Sequence, residues 1–223
     1  MKIAVLTGAG VSAESGIKTF RDSDGLWEGH DVMEVASPEG FQRNPAVVLD
    51  FYNQRRKQLL TVQPNAAHIA LAELEKNHEV NIITQNVDDL HERAGSTNVI
   101  HLHGELLKVR STFEENLILD WKEDLNLGDC CEHNHQLRPH IVWFGEMVPM
   151  IEIAAEIVEK ADAIIIVGTS MQVYPAAGLM QYAKDGAKIY FVDPKPSISE
   201  NKRITVFAEN ASTGVPKVVE LLK

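Results

Sequence analysis

Ile3-Ala4-Val5-Leu6-Thr7-Gly8-Ala9-Gly10-Val11-Ser12-Ala13 is the stretch on which the fold turns. Its first five residues form a short apolar run, the length of a strand buried on both faces. The next six satisfy G-x-G-x-x-A after a strand and before helix-compatible residues, the context in which that pattern carries weight. Glycines there let the backbone turn tightly and approach a pyrophosphate seated at a helix N-terminus. A tight strand-to-helix turn with no ligand uses the same residues. The loop alone therefore points to nucleotide binding and no further.

Outward from the loop, apolar runs at 80–84, 163–168 and 188–192 read as further buried strands. Each ends in small or polar residues, as parallel strands do when they deliver a loop to a site. Helical patterns lie between them, over 45–60, 66–76, 150–160, 176–184 and 215–222. This alternation predicts an α/β fold with a Rossmann-like open parallel sheet. Residues 106–138 are polar and aperiodic and read as a small inserted lobe. Residues 20–44 are also irregular and read as a loop covering the cofactor, within a second inserted region over 20–62. The whole of 1–223 is expected to form a single catalytic domain.

The chain carries a net charge of −11, which argues against holding nucleic acid through its phosphates. An acidic surface suits basic partners such as lysine-bearing proteins, although it serves solubility equally well. No apolar run approaches the roughly 18 residues that span a bilayer, so no membrane association is expected. The first apolar run is also too short for a secretory signal. Cys130 and Cys131 are adjacent and cannot staple the fold, which fits a reducing compartment. A cytoplasmic monomer is expected.

A dinucleotide-dependent dehydrogenase shows a second strand ending in Asp or Glu about 20 residues after the glycine loop. Here the sequence reads Thr19-Phe20-Arg21-Asp22-Ser23-Asp24-Gly25-Leu26-Trp27, which is no apolar strand. Hydride transfer thereby loses its second support.

Five ordered motifs resemble those of the sirtuins. They are Gly8 to Ile17 with Thr19-Phe20-Arg21-Asp22 and Gly25-Leu26-Trp27; Thr84-Gln85-Asn86-Val87-Asp88; His103-Gly104; Val142-Trp143-Phe144-Gly145-Glu146; and Gly168-Thr169-Ser170 with Val173-Tyr174-Pro175. The resemblance spans residues 2–219. It implies a Rossmann-like domain carrying NAD, with a small lobe beside it. The implied reaction removes an acyl group from protein lysine. The acyl oxygen attacks the ribose carbon as nicotinamide departs, a histidine deprotonates a ribose hydroxyl, and the products are lysine, nicotinamide and O-acyl-ADP-ribose.

On this resemblance His103 is the general base, an imidazole suiting proton transfer near neutrality. His101 is its rival, since in an extended segment the two rings point the same way. Gly8, Ala9, Gly10, Ser12, Ala13, Trp27, Gly168, Thr169, Ser170 and Ala211 are implied contacts of NAD. Phe20 would shield the reactive carbon and Arg21 would polarise nicotinamide or pair with a phosphate. Gln85 and Asn86 offer amides to a ribose or carboxamide, and Asp88 offers an acceptor, although such residues also cap loops. Val142, Trp143, Phe144, Gly145 and Glu146 would bracket a substrate peptide together with Val173 and Tyr174, by strand addition. Val142-Trp143-Phe144 also looks like core.

Two departures stand out. Most sirtuins hold a structural zinc with two Cys-x-x-Cys pairs; here the first pair is replaced by Val109-Arg110-Ser111-Thr112, and the second region offers only Cys130-Cys131 with His133 and His135. Adjacent cysteines without a distant pair make a poor tetrahedral site, so no zinc is expected. Leu117, Ile118, Leu119 and Trp121 are then expected to hold the lobe. The adenosine-ribose loop carries Asp193 where the family often has Asn.

Tyr52 and Arg55 are three apart on a predicted helix and share a face. Sirtuins that remove succinyl or malonyl groups carry this pair, because a guanidinium fork and a phenol suit an acyl carboxylate. A solvated basic face is the alternative. The expected activity is desuccinylation or demalonylation, with weaker deacetylation. Protein ADP-ribosylation and a non-enzymatic NAD- or acyl-lysine-binding module stay open as other readings.

Overall fold

The computed structural model describes residues 1–18, 26–27, 29–171 and 174–223. Phe20, Arg21 and Val173 lie outside the described residues. Strand β1 (Lys2–Thr7) is followed by two single turns of 3-10 helix, Ala9–Val11 and Ala13–Ser15, where the sequence reads as helix-compatible. Ser12 separates the turns, and Gly16 ends the second in the left-handed region at φ 98°. Any dipole contribution to phosphate binding is therefore that of single turns.

The segment expected to be irregular is built of short elements. Strands β2 (Leu26–Trp27) and β3 (His30–Asp31) form a hairpin, followed by helices α1 (Val32–Val35) and α2 (Pro38–Arg43). Ser37 caps α2 by accepting from Gly40 N, with Pro38 at the first helical position. The long helix α3 (Pro45–Thr61) repeats this design with Asn44 and Pro45. Helix α4 (Ala66–Leu74) opens on a reciprocal cap between Asn65 and His68.

Strand β4 (Glu79–Thr84), helix α5 (Leu90–Ala94) and strand β5 (Val99–His101) lead into the small lobe. That lobe is a three-stranded antiparallel sheet of β6 (Gly104–Ser111), β7 (Ile118–Asp120) and β8 (Leu137–Ile141), ordered β7-β6-β8. The chain returns through α6 (Ile151–Lys160), β9 (Ala163–Val167), a 3-10 helix at Ala176–Tyr182, β10 (Lys188–Val192), β11 (Ile204–Phe207) and α7 (Ala211–Leu222).

The main sheet has six parallel strands in the order β11-β10-β9-β1-β4-β5. Alternate residues of each strand face opposite layers. Ile3, Val5, Val80, Ile82 and Ile165 pack against Leu71 of α4 and Val215 and Val218 of α7. Ala4, Leu6, Ile83, Ile164 and Ile166 pack against Ala154 and Val158 of α6. Both faces are covered, which is why the strands read as continuous apolar runs. Among the described residues, no helix is long and apolar enough to cross a membrane.

The lobe's core differs from expectation. Val109, Leu125, Cys131 and Leu137 are its buried residues, joined by Leu49 from α3, with Leu117 and Trp121 half-buried against them. Ile118 and Leu119 are 42% and 39% exposed, so they do not hold it together. Polar clamps from α3 add to the apolar contacts. Asn53 bonds both the N–H and the carbonyl of Leu125, at 2.8 and 3.0 Å, and Arg56 donates to the carbonyls of Leu106 and Glu123.

Candidate active site

The carboxyl ends of the parallel strands carry the glycine loop, Gln85, Asn86 and Asp88, His103, Gly168 to Ser170 and Asp193, whereas Trp27, Tyr52, Arg55 and residues 142–146 come from other elements. Strand β1 is the point at which the order reverses: its later neighbours run through β4 and β5 on one side and through β9, β10 and β11 on the other. Ligands of open α/β sheets bind in the crevice at such a switch point. Two loops close over it. Gly10 N–H donates to the Gly168 carbonyl at 2.9 Å, and Gly8 N–H to that of Val167 at 3.0 Å. A Cβ on Gly10 would stand 2.6 Å from Gly168 Cα, closer than backbone tolerates, and Gly168 sits at φ +59°. The glycines thus serve a loop-to-loop contact as well as any approach of phosphate. Ala9 lies half-buried beside them, and Ala13 is exposed.

Ser12 is fully buried and is the hub of a polar chain. Its hydroxyl donates to Asp88 Oδ2 at 2.9 Å and accepts from Asn86 Nδ2 at 3.1 Å. His68 Nδ1 accepts from Asn65 N–H, so the ring proton sits on Nε2, 3.5 Å from Ser12 Oγ. Beyond it, the ring of His91 lies 4.8 Å from that of His68, and its Nε2 is 3.1 Å from Thr7 Oγ1. Burial holds both histidines neutral, lowering His68 to about 4 and His91 well below its ordinary value. Burial pushes Asp88 up to about 6, against the Leu90 N–H and the Ser12 hydroxyl that favour its charge.

Sequence reasoning missed His68 and His91. Asn65 followed three residues later by a polar side chain at a helix start was the available signal for His68. Its partner Ser12 is distant in sequence, and nothing local marks the pair.

Strand β5 ends at His101, and Leu102 and His103 form a turn before Gly104 at φ +82°. The extended segment that would leave the two rings equivalent is therefore broken, and their hydrogen bonds separate them. His103 Nδ1 lies 2.9 Å from the Gln85 carbonyl, which only accepts. The proton is on Nδ1, and Nε2 keeps a lone pair for a base. Burial lowers the His103 pKa, with the Gln85 carbonyl partly opposing. His101 faces acceptors at both nitrogens, the Asn86 carbonyl at 3.0 Å and the Glu92 carboxylate at 2.7 Å. Burial works to lower its pKa, but Glu92 and the carbonyl outweigh it and the value is raised. An imidazolium donating at both nitrogens has no lone pair, so His101 is not placed to act as a base.

Gln85 Nε2 donates to Thr169 Oγ1 at 3.1 Å, tying the end of β4 to that of β9, while the Ser170 carbonyl accepts from Ser197. Asp193 is 1% exposed at the end of β10, and its Oδ1 accepts from Lys195 N–H. Ala211 is buried at the first turn of α7. Three glycines, two hydroxyls and a buried carboxylate at this edge make a donor set and a Cβ-free cradle that fit a dinucleotide.

On α3, Arg55 lies 4.3 Å above the ring centroids of Trp27 and Phe51 and lines a recess with Ile17, Leu59, Asp88 and Leu106. Tyr52 is fully buried, and its hydroxyl accepts from Trp143 Nε1 at 3.0 Å. Burial raises its pKa, so the phenol stays protonated and keeps its own O–H to donate. Residues 142–146 form no strand. Val142 N–H donates to the His103 carbonyl and Phe144 N–H to that of Ala36. Phe144, Gly145 and Tyr174 are exposed, the last at 72%. Glu146 turns inward and receives Arg138, Arg110 and the Trp143 N–H.

In the lobe, Cys131 Sγ is 3.6 Å from Ser111 Oγ, His133 faces Glu114, and His135 stacks on Phe113. Among the described residues no group of three or more His, Cys, Asp or Glu is arranged to hold a metal.

Comparison with known proteins agrees with this geometry. The Sir2 family model matches residues 8–175. An NAD-dependent protein deacylase of Helicobacter pylori strain J99 is 58% identical over 98% of this chain and 96% of its own. One from Bacteroides thetaiotaomicron is 55% identical over 99% and 97%. A crystal structure of a Sir2 homologue in complex with NAD superposes with a TM-score of 0.88 at 42% identity, covering 99% of this chain and 88% of that one. A Sir2 protein bound to acetylated peptide gives 0.82 at 29% identity, covering 98% and 92%. With its family model covering most of the length and its relatives more than half identical end to end, this chain belongs to the Sir2 family.

Proposed function

We propose that this NAD-dependent protein deacylase prefers lysines carrying acidic acyl groups, and that His103 is its general base. The deacylase activity itself follows from family membership and from relatives named for it. The observation that carries the assignment of the base is the His103 Nδ1–H bond to the Gln85 carbonyl, which leaves Nε2 unprotonated beside the crevice.

Gly8, Gly10 and Gly168 would cradle NAD, which would supply an electrophilic ribose carbon for the acyl oxygen, with nicotinamide as its leaving group. His103 Nε2 then removes a proton from a ribose hydroxyl, and the Nδ1–H bond to Gln85 holds the ring for that task. Asp88, kept ionised, accepts from the nicotinamide carboxamide, and Ser12 orients it. Thr169, Ser170 and Asp193 face the remaining ribose and phosphate groups. An acylated lysine peptide lies along 142–146 and Tyr174.

Acid selectivity rests on α3. Arg55 offers a guanidinium fork in a recess otherwise lined largely by apolar residues, where a carboxylate is bound strongly and a methyl group gains nothing from it. Tyr52 adds the O–H that its bond from Trp143 leaves over. Arg55→Met is expected to cut kcat/KM on a succinyl-lysine peptide by roughly 30-fold or more, about 2 kcal/mol or above as for other desolvated charge pairs. Activity on the acetyl-lysine peptide should hold or rise. Equal loss on both peptides overturns the acyl preference. An assay of NAD and peptide that released no nicotinamide would overturn the deacylase reading as a whole.

The pH profile carries a second expectation. Deacylation requires Asp88 ionised and His103 neutral. With Asp88 at about 6 and His103 below its usual 6.5, kcat/KM should be full at about pH 7 and fall as the pH drops through about 6. A low-pH limb centred above 7 would remove His103 as the base.

A further inference from the structure

The first histidine of His101-Leu102-His103 has no part in proton transfer, yet both its nitrogens are engaged and its side chain is only 8% exposed. We propose that His101, clamped as an imidazolium between the Asn86 carbonyl and the Glu92 carboxylate, is a positioning residue that fixes the Gln85–Asp88 loop and holds the charge on its buried carboxylate.

The geometry gives the two effects in turn. A carbonyl and a carboxylate can only accept, so a ring bonded to both carries two protons and a positive charge. Its bond to Asn86 is one residue along from the Gln85 carbonyl that orients His103, so the two histidines grip successive peptide units of one loop. Asp88 is two residues further on, 5% exposed, with Ser12 and the Leu90 N–H as its hydrogen-bond partners. A buried carboxylate is kept ionised by nearby positive charge. His101 acts on Asp88 to favour its charge, after the Leu90 N–H and the Ser12 hydroxyl, while Asp89 opposes it; Arg55 and Lys18 line the recess that Asp88 also lines. The titratable groups that act on or feel His101 are Glu92 and neutral His91 on α5, Asp88 in the loop and Glu105 on β6; Lys108 on β6 acts on Glu92 and pairs with Glu105. Glu92 thus neutralises His101 outward, towards solvent, and leaves its positive edge towards the loop.

The consequence for rate rests on the reading of Asp88 as a partner of nicotinamide, but the effect on its carboxyl can be read without NAD. In His101→Gln the amide can still donate to Asn86, and the charge is gone while Glu92 stays negative. Followed by side-chain carbon NMR on the full chain, the Asp88 carboxyl should titrate about one pH unit higher than in the wild type. In the double variant His101→Gln, Glu92→Gln the surplus negative charge is removed, and the Asp88 titration should return most of the way. A purely structural role for His101 predicts no such return. The low-pH limb of kcat/KM for NAD should move with the carboxyl in both variants. An unmoved Asp88 titration in His101→Gln, or a double variant no different from the single one, overturns the proposal. A carboxyl that moves while the rate limb stays still upholds it and refutes the nicotinamide role of Asp88 instead.

Discussion

His103→Ala is expected to slow acyl-lysine turnover by about 10²–10⁴-fold, the usual span for a lost general base, while NAD still binds. His103 combines a fixed tautomer with an open lone pair. Its neighbour cannot take over, because both nitrogens of His101 already donate. The glycine cradle follows β1 and β9 and is held by the Gly8–Val167 and Gly10–Gly168 bonds, neither of which involves His103, so the affinity for NAD, measured by calorimetry, should change little. Turnover within tenfold of the wild type would show that another group takes the proton.

The second large effect concerns stability. Glu146 receives two bonds from Arg138, at 2.6 and 3.1 Å, two from Arg110, both at 3.2 Å, and one from the Trp143 N–H at 2.7 Å. The guanidiniums are only 10% and 11% exposed, and that of Arg138 lies 3.4 Å above the Trp143 ring. Burial lowers the Arg138 pKa, opposed by its bonds to Glu146. Glu146→Ala would leave two nearly buried cations facing each other. Breaking such a pair costs about 3–5 kcal/mol, read as a fall in Tm of roughly 6–20 °C for a chain of this size. A chelator should leave the wild-type Tm unchanged, since this cluster and the Asn53–Leu125 clamp join the lobe to the main domain through protein groups. A fall of under about 2 °C in Glu146→Ala would show that the lobe is held elsewhere.

The parts of the fold that were legible are those where one physical effect dominates. Residues 3–7 and 163–167 are covered by helices on both sides, so nearly every residue must be apolar and the strands stand out. Strands β5 and β11 carry no clear apolar run because they are short edge strands, half-buried, with His101 and Thr205 breaking the pattern. In the lobe, β6 passes from contact with the main domain to contact with its own sheet, with a register irregularity between Gly104 and Val109. Its buried positions therefore follow no single period. The helix expected at 176–184 is a 3-10 helix that runs from Ala176 to Tyr182. Strand β10 has the bounds of its apolar run, Lys188–Val192.

Within the site, the glycine loop and His103 were legible because each carries its own local pattern. Ser12, His68 and His91 were not legible as a unit, since they meet only when β1, α4 and α5 converge. Glu146 had been placed beside a substrate, as its motif implies. Its ion pairs with Arg110 and Arg138 depend on the pairing of β6 with β8, which no local pattern announces.

The central position of β1 has a consequence for synthesis. Ile3 pairs with Val80 on one side and with Ala163 on the other, about 160 residues later. At about 5–20 residues per second on the ribosome, an apolar strand made early waits roughly 8–30 s for its second neighbour. During that interval its far edge is an open template for other chains. The newborn protein therefore depends on being shielded until β9 emerges, and a slow codon stretch between α5 and β9 would lower the yield of folded enzyme without altering a single contact in it.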